Sequence, residues 1–428
     1  MRIRHSLAFA LLLLAARLAA AHPAAGRHGI TIDDMWAIQR VGAPSLSPDG
    51  TLAAYTVTAY DMEENRGNAD IWIVPVGGGA PRRLTANKAS DTQPAWSPDG
   101  RRIAFVSKRD DDKAAQIYVI AVGGGEAERI TDLPLGASDP KWLPDGKRIV
   151  FVSHVVGGSG TPAETKKALE AREKNKVKAH VTENRLYRFW DRWLTDDEFP
   201  HLFVVDVATK ASTDLTPGSK RLFDFQTGSG SFDVSPDGTT IVFEANATPE
   251  PYRTIHTDLF AVSTSGGEVR DLTAGNPADD TTPVFSPDGK SVAYGVRVKA
   301  EDWPDRTRLA VLDLASGRTR VLTEAWTDSP GGWRWTPDGK TILFRAEVQA
   351  RGNLYAIPAA GGTPRLVARG DARQPRGRVR PPRPVGLGRH VRPPALVRRL
   401  PVHEPRERRA LEPEPVREEL QDADARDP

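Results

Sequence analysis

The chain has 428 residues, of which 39% are hydrophobic, with 37 Gly, 35 Pro and no cysteine. A sizeable core and many turns are therefore allowed, while disulfides, thiolate metal sites and cysteine nucleophiles are excluded. The net charge of +3 sits at the ends: residues 1–21 carry +3 and residues 371–428 carry +4, which leaves −4 on residues 22–370, so no nucleic-acid partner is expected for the body.

The first element is "MRIRHSLAFALLLLAARLAAAH", with Arg2 and Arg4 ahead of an apolar stretch and Ala19-Ala20-Ala21 at its end. This is the pattern of a secretory signal peptide, residues 1–21, cut before His22. Arg17 interrupts the run, and the run is too short to span a bilayer comfortably. The expected product is secreted, periplasmic, and free of the membrane after signal cleavage. A leader follows over 22–42.

From residue 43 the chain repeats itself. Pro-Asp-Gly turns place aspartates at Asp49, Asp99, Asp145, Asp237, Asp288 and Asp338, spaced 50, 46, 92, 51 and 50. A period near 50 suits a four-stranded propeller blade. Proline presets φ in such a turn, Asp tolerates the next position, and Gly takes the left-handed one. The residues beyond alternate, Ile103 and Phe105 on one face with Arg102 and Ala104 on the other, as in a strand with one buried face. A second signature follows each turn: "DIWIVPVGGGAPRRLT" (70–85), "QIYVIAVGGGEAERIT" (116–131), "HLFVVDVATKASTDLT" (201–216), "DLFAVSTSGGEVRDLT" (258–273), "RLAVLDLASGRTRVLT" (308–323) and "NLYAIPAAGGTPRLVA" (353–368). Each reads as a hairpin. The predicted fold is all-β, a β-propeller over 43–370 with six recognisable blades; a degraded seventh is expected, because open blade edges leave unpaired strands.

The interval of 92 contains one hairpin signature, so it is read as a single blade, the third, with an insertion over 154–200. Within it, Thr161-Pro162-Ala163-Glu164 is a capping box with Pro at the first helical position, ahead of a polar helix. Next comes "RLYRFWDRWL" (185–194), dense in arginine and aromatics. Beyond residue 370 the composition changes: residues 371–428 hold 11 prolines, no lysine and no aromatic. Such a segment buries too little apolar surface to offset its own ordering. It reads as a disordered Arg/Pro-rich tail, and its Arg/Pro/Ala bias is what GC-rich coding DNA yields out of frame, so a frameshifted end is expected.

Other motifs carry less. "RDDDK" (109–113) lacks the spacing of a calcium loop and reads as a solvated loop. The nine histidines form no pair at metal-ligand spacing; no metal and no cofactor are expected. "NAT" (246–248) fits a glycosylation acceptor. Trp96, Trp142, Phe232, Phe285 and Trp335 lie beside the turns and read as packing between blades.

The signal, the opening "TIDDMWAIQRVGAPSLSPDG" and the repeated turns together resemble the N-terminal β-propeller of secreted bacterial peptidases of the prolyl oligopeptidase family, in the acylaminoacyl-peptidase and dipeptidyl-peptidase branch. The insertion "TENRLYRFWDRWLTDDEFPHLFVVDVAT" is the most specific part of the resemblance. It implies short peptide substrates and a companion α/β-hydrolase domain, whose serine sits in G-x-S-x-G. No G-x-S-x-G occurs in this chain, so no catalytic residue is assigned and the chain alone is expected to be inactive. The resemblance further implies that Arg185, Arg188, Trp190, Asp191 and Trp193, which no blade needs, meet substrate or the companion domain. A free-standing TolB-like periplasmic propeller that binds a protein partner is the alternative, since such propellers share the turn.

Overall fold

The computed structural model describes residues 29–157, 159–177, 179, 188–189, 192–194, 197–223, 231–248, 255–300 and 304–370. The chain divides between Pro381 and Pro382, and every described residue lies in the first unit.

Six antiparallel sheets follow one another in chain order to form a β-propeller, each strand pairing with the next in sequence. The second blade shows the plan: Asp91–Trp96, Arg102–Ser107, Gln116–Ala121 and Glu128–Arg129. Five sheets have four strands; in the first blade the opening strand is split into Arg40–Val41 and Ser45–Leu46, which both pair with Leu52–Asp61. The sheet thus begins inside the leader, at Arg40. The leader also forms helix α1, Ile32–Ala37, closed by a full capping box between Thr31 and Asp34, which satisfies two of the amide groups a helix start leaves unpaired.

The repeated turn is a hydrogen-bonded unit. In the second blade Gly100 N donates to Ser97 O, Ser97 Oγ donates to Asp99 Oδ1 at 2.5 Å, and Arg102 N donates to Ser97 Oγ. The same bonds recur around Ser47, Ser235, Ser286 and Thr336. The third blade has Leu143 at the serine position, and Asp145 is held instead by the Lys147 and Arg148 amides and by Arg148 Nε. The turn glycines have φ of 64–72°, which only glycine adopts without strain. Each of the last five also faces the proline of the preceding blade's turn, as Gly100 faces Pro48 and Gly238 faces Pro144. All six turns therefore lie on one face of the propeller.

The first strands line the inside, because neighbouring blades are stitched together through them. Trp96 Nε1 donates to Ser45 O, Trp142 Nε1 to Ala95 O and Trp335 Nε1 to Val284 O; Lys141 Nζ reaches Phe232 O, and Phe285 N donates to Asp233 Oδ2. These are the junction aromatics expected from their place beside the turns. Between blades, an aromatic-rich face of one sheet meets a small or β-branched face of the one before. Phe105 and Tyr118 pack on Ala54 and Ile71, and Phe151 and Phe203 on Ala104, Ile117 and Val119. Burial of such side chains contributes roughly 1.5–3 kcal/mol each, and five apolar clusters of this kind join the six blades in order.

The interval of 92 is one blade: Arg148–Val156 pairs with Glu198–Asp206 across the insertion, from Arg148↔Asp206 to Val156↔Glu198. Each of these strands has nine residues and rises about 30 Å. The insertion therefore leaves from the end of the blade opposite the turns.

Candidate functional site

Antiparallel alternation decides which surface carries the loops. Second strands begin at the Pro-Asp-Gly turns and end on the far face, so the links to the third strands gather there: residues 62–65, 108–115, 157–197, 247–256, 297–307 and 349–350. The inserted segment belongs to this loop-bearing face. Its helix α2, Pro162–Lys174, starts at Thr161, whose side chain accepts from Glu164 N. Glu164 Oε2 accepts from Gly160 N at 2.6 Å, one residue ahead of the amide a capping box uses. The helix ends at Lys174 with Asn175 as its C-cap, and Arg172 ties it to Glu198 at 3.2 Å.

Arg188–Phe189 and Arg192–Trp193 form a small hairpin. Leu194 and Phe199 bury with Leu222, and Phe189 packs against them, which fixes one side of the hairpin on the third blade. Arg188 and Trp193 remain exposed; the guanidinium lies 5.5 Å from the indole centroid and Trp193 is 41% accessible. An exposed arginine stacked on an exposed indole presents a flat cationic surface, suited to a carboxylate or a peptide backbone. Arg185, Trp190 and Asp191 lie outside the described residues.

Beneath the loops runs a ring of buried polar residues that the pattern reading passed over. The first letter of each hairpin signature, Asp70, Gln116, His201, Asp258, Arg308 and Asn353, is at most 8% accessible. The signal was visible: a polar residue immediately before each apolar run. The threonine that ends five of the signatures has its own task. Thr85, Thr131, Thr216, Thr273 and Thr323 accept, at 2.9–3.1 Å, the backbone N–H of Ile71, Ile117, Leu202, Leu259 and Leu309, an amide that would otherwise be buried without a partner.

The polar ring is neutralised differently from blade to blade. Asp70 pairs with Arg83 at 2.6 Å, and Asp91 with Arg109 at 2.8 Å. His201 lies between Asp214 Oδ2 at 2.6 Å and Ser219 O at 2.9 Å. At the junction of the fourth and fifth blades the equivalents are Asp258 and Asp280, facing Asp271 and Asp279. Burial, then the Asp271 and Asp280 carboxylates, push Asp258 up to about 8 against the pull of Arg221. Burial likewise pushes Asp280 up to about 7, against hydrogen bonds from Thr273 and Asn276. Burial thus favours the neutral form of Asp258 and Asp280, where the equivalent Asp70 and Asp91 have arginine partners.

Two other expectations change. In "RDDDK" only Asp110, Asp111 and Lys113 are solvated; Arg109 is bound to Asp91, and Asp112 accepts from Tyr118 Oη at 2.7 Å and pairs with Arg129 at 3.1 Å. The loop is pinned at both ends because its charges meet the first, third and fourth strands of their own blade. Asn246 is fully buried, donating to His256 O at 3.1 Å, so the glycosylation pattern there is inaccessible. Among the described residues no cluster of His, Asp or Glu is arranged to hold a metal ion.

Comparison with known proteins places this architecture. The PD40 TolB β-propeller domain family matches residues 37–174. Dipeptidyl-peptidase 5 of Porphyromonas gingivalis is 30% identical over 353 residues, covering 81% of this chain and 50% of the relative. Its counterpart in Porphyromonas endodontalis is 27% identical over 353 residues, covering 80% and 49%. The chain thus spans about half the length of these curated relatives. Among solved structures, uncomplexed Pyrococcus horikoshii acylaminoacyl peptidase superposes with a TM-score of 0.56 at 16% identity, over 78% of this chain and 46% of that one. The β-propeller domain of the Trilobed protease from Pyrococcus furiosus, described as having an open velcro topology, gives 0.50 at 16%, over 78% and 84%.

Proposed function

From the premise that the chain is a TolB-type β-propeller homologous to dipeptidyl-peptidase 5, we propose that it is the substrate-selecting half of a secreted serine peptidase acting on short peptides in the periplasm, with catalysis in an α/β-hydrolase domain outside these 428 residues. The observation that carries this reading is homology over four-fifths of the chain, too long to rest on a repeated turn alone.

The chemistry agrees. Acyl transfer needs a nucleophile, its base and an oxyanion hole held together, and this chain contains neither a cysteine nor a G-x-S-x-G elbow. What it does contain is a loop-bearing face with an exposed Arg188–Trp193 stack. In this reading the stack meets either a peptide's carboxylate end or the hydrolase domain, and the propeller admits only chains short enough to pass its loops.

The test compares the 428-residue protein with the product of its locus read in the frame that continues the propeller past residue 370. The longer product should take a fluorophosphonate label and release dipeptides from chromogenic substrates, while the shorter does neither. Stoichiometric labelling of the 428-residue chain, or an inert longer product, would refute the proposal. A locus with no hydrolase reading frame would instead favour a free-standing propeller with a protein partner.

A further inference from the structure

The five internal junctions define a packing rule, and the two ends of the blade series leave its two halves unused. The face that each blade turns toward its predecessor carries large residues: Phe105, Phe151, Phe243, Tyr294 and Phe344 occupy one equivalent position and are at most 2% accessible. In the first blade that position is Tyr55, paired across the sheet with Trp72, and both are only half-buried. One step before the turn, Trp96, Trp142 and Phe285 are 6–8% accessible, whereas Leu46 is 60% accessible.

The opposite face shows the complementary gap. Ala104, Val150, Val242 and Ala293 are at most 1% accessible, and Leu343, their equivalent in the sixth blade, is half-buried. Ile117, Leu202, Leu259 and Leu309 are fully buried, and their equivalent Leu354 is half-buried. Among the described residues no apolar cluster joins the sixth blade to the first. The chain thus exposes one aromatic face and one aliphatic face that match each other by the rule of its own five junctions.

We propose that these faces are an interaction surface for a second copy of this chain, with Leu46, Tyr55 and Trp72 of one molecule seated on Leu343 and Leu354 of another. A second copy is the occupant because it brings both matching faces, continuing a packing the molecule already uses five times. Residues 371–428 contain no aromatic, whereas every internal junction except that with the fifth blade receives an aromatic pair. The contact is head-to-tail, so it closes into a small assembly only if the rotation allows and otherwise extends.

The absence of cysteine makes the test clean. Two single variants of the 428-residue chain, Tyr55→Cys and Leu354→Cys, are given different tags, mixed, and oxidised. Their internal counterparts Phe105 and Ile71 share one cluster, so a disulfide between the two tagged chains is expected. Sedimentation should show a mass that rises with concentration, with association weakened about tenfold or more in Leu46→Lys, a change at an exposed site that leaves folding intact. A constant monomer mass with no crosslink overturns the proposal. So does a disulfide confined to one molecule when Tyr55→Cys and Leu354→Cys are combined in a single chain, which would mean that the blade series closes on itself, or a complex with a different protein without self-association.

Discussion

Replacing Asp271 by arginine should stabilise the junction of the fourth and fifth blades, and by more at pH 8 than at pH 5. Cross-strand register gives the reason: Phe260 pairs with Asp271 as Trp72 pairs with Arg83, so Asp271 stands where the first blade has the arginine that binds Asp70. Asp258, lacking that cation, is raised from 3.8 to about 8. Below pH 4 both folded and unfolded chains hold this proton and nothing is lost. As the pH rises toward 8 the unfolded chain releases it first, so stability falls by about 1.4 kcal/mol per pH unit. At pH 7 the full effect would be about 4 kcal/mol. Burial is the largest cause of the shift and the arginine does not remove it, so half that figure, about 2 kcal/mol, is the expectation for what Asp271→Arg recovers at pH 7. Asp258→Asn should flatten the pH profile without needing the new ion pair. Urea unfolding followed by tryptophan fluorescence at pH 5, 6, 7 and 8 reads both. Parallel stability profiles for the parent and the two variants would refute the reasoning.

Three further outcomes are expected. Thr131→Val leaves the Ile117 amide without its 2.9 Å acceptor and should cost about 1–3 kcal/mol in urea unfolding. Gly136 has φ of +83° and space for a Cβ only 2.6 Å from Ala115 O; Gly136→Ala should cost about 1–3 kcal/mol, while Gly77→Ala, which meets nothing within 4 Å, should change stability by less than about 0.5 kcal/mol. Secretion from a glycosylating host should give a protein whose mass does not change at Asn246 on treatment with a glycosidase, because that side chain is buried.

Local patterning was enough to read the blades. Strand alternation, the Pro-Asp-Gly turn and the hairpin signatures are all decided within about ten residues, by side-chain period and by φ preferences that proline and glycine impose on their own positions. That is why the position of every turn, the single blade behind the interval of 92, and the packing role of Trp96, Trp142 and Trp335 were legible from the letters. The helix after Thr161 was legible for the same reason, since a cap is a local device.

What lay beyond the letters depends on which strands a blade brings together and which blade stands next to it. Asp258 and Asp280 are 22 positions apart and read as ordinary surface aspartates until two sheets close over them; Arg109 and Asp112 read as solvated until Asp91 and Arg129 are brought against them. The same holds for Leu46 and Trp96, equivalent residues before equivalent turns, one exposed and one buried. Sequence determines the face that each strand offers, because the pleat is fixed by the backbone. Tertiary structure alone decides what meets that face and which distant residues of a blade come together, because burial belongs to the junction between two sheets and the ion pairs join strands and loops far apart in the chain.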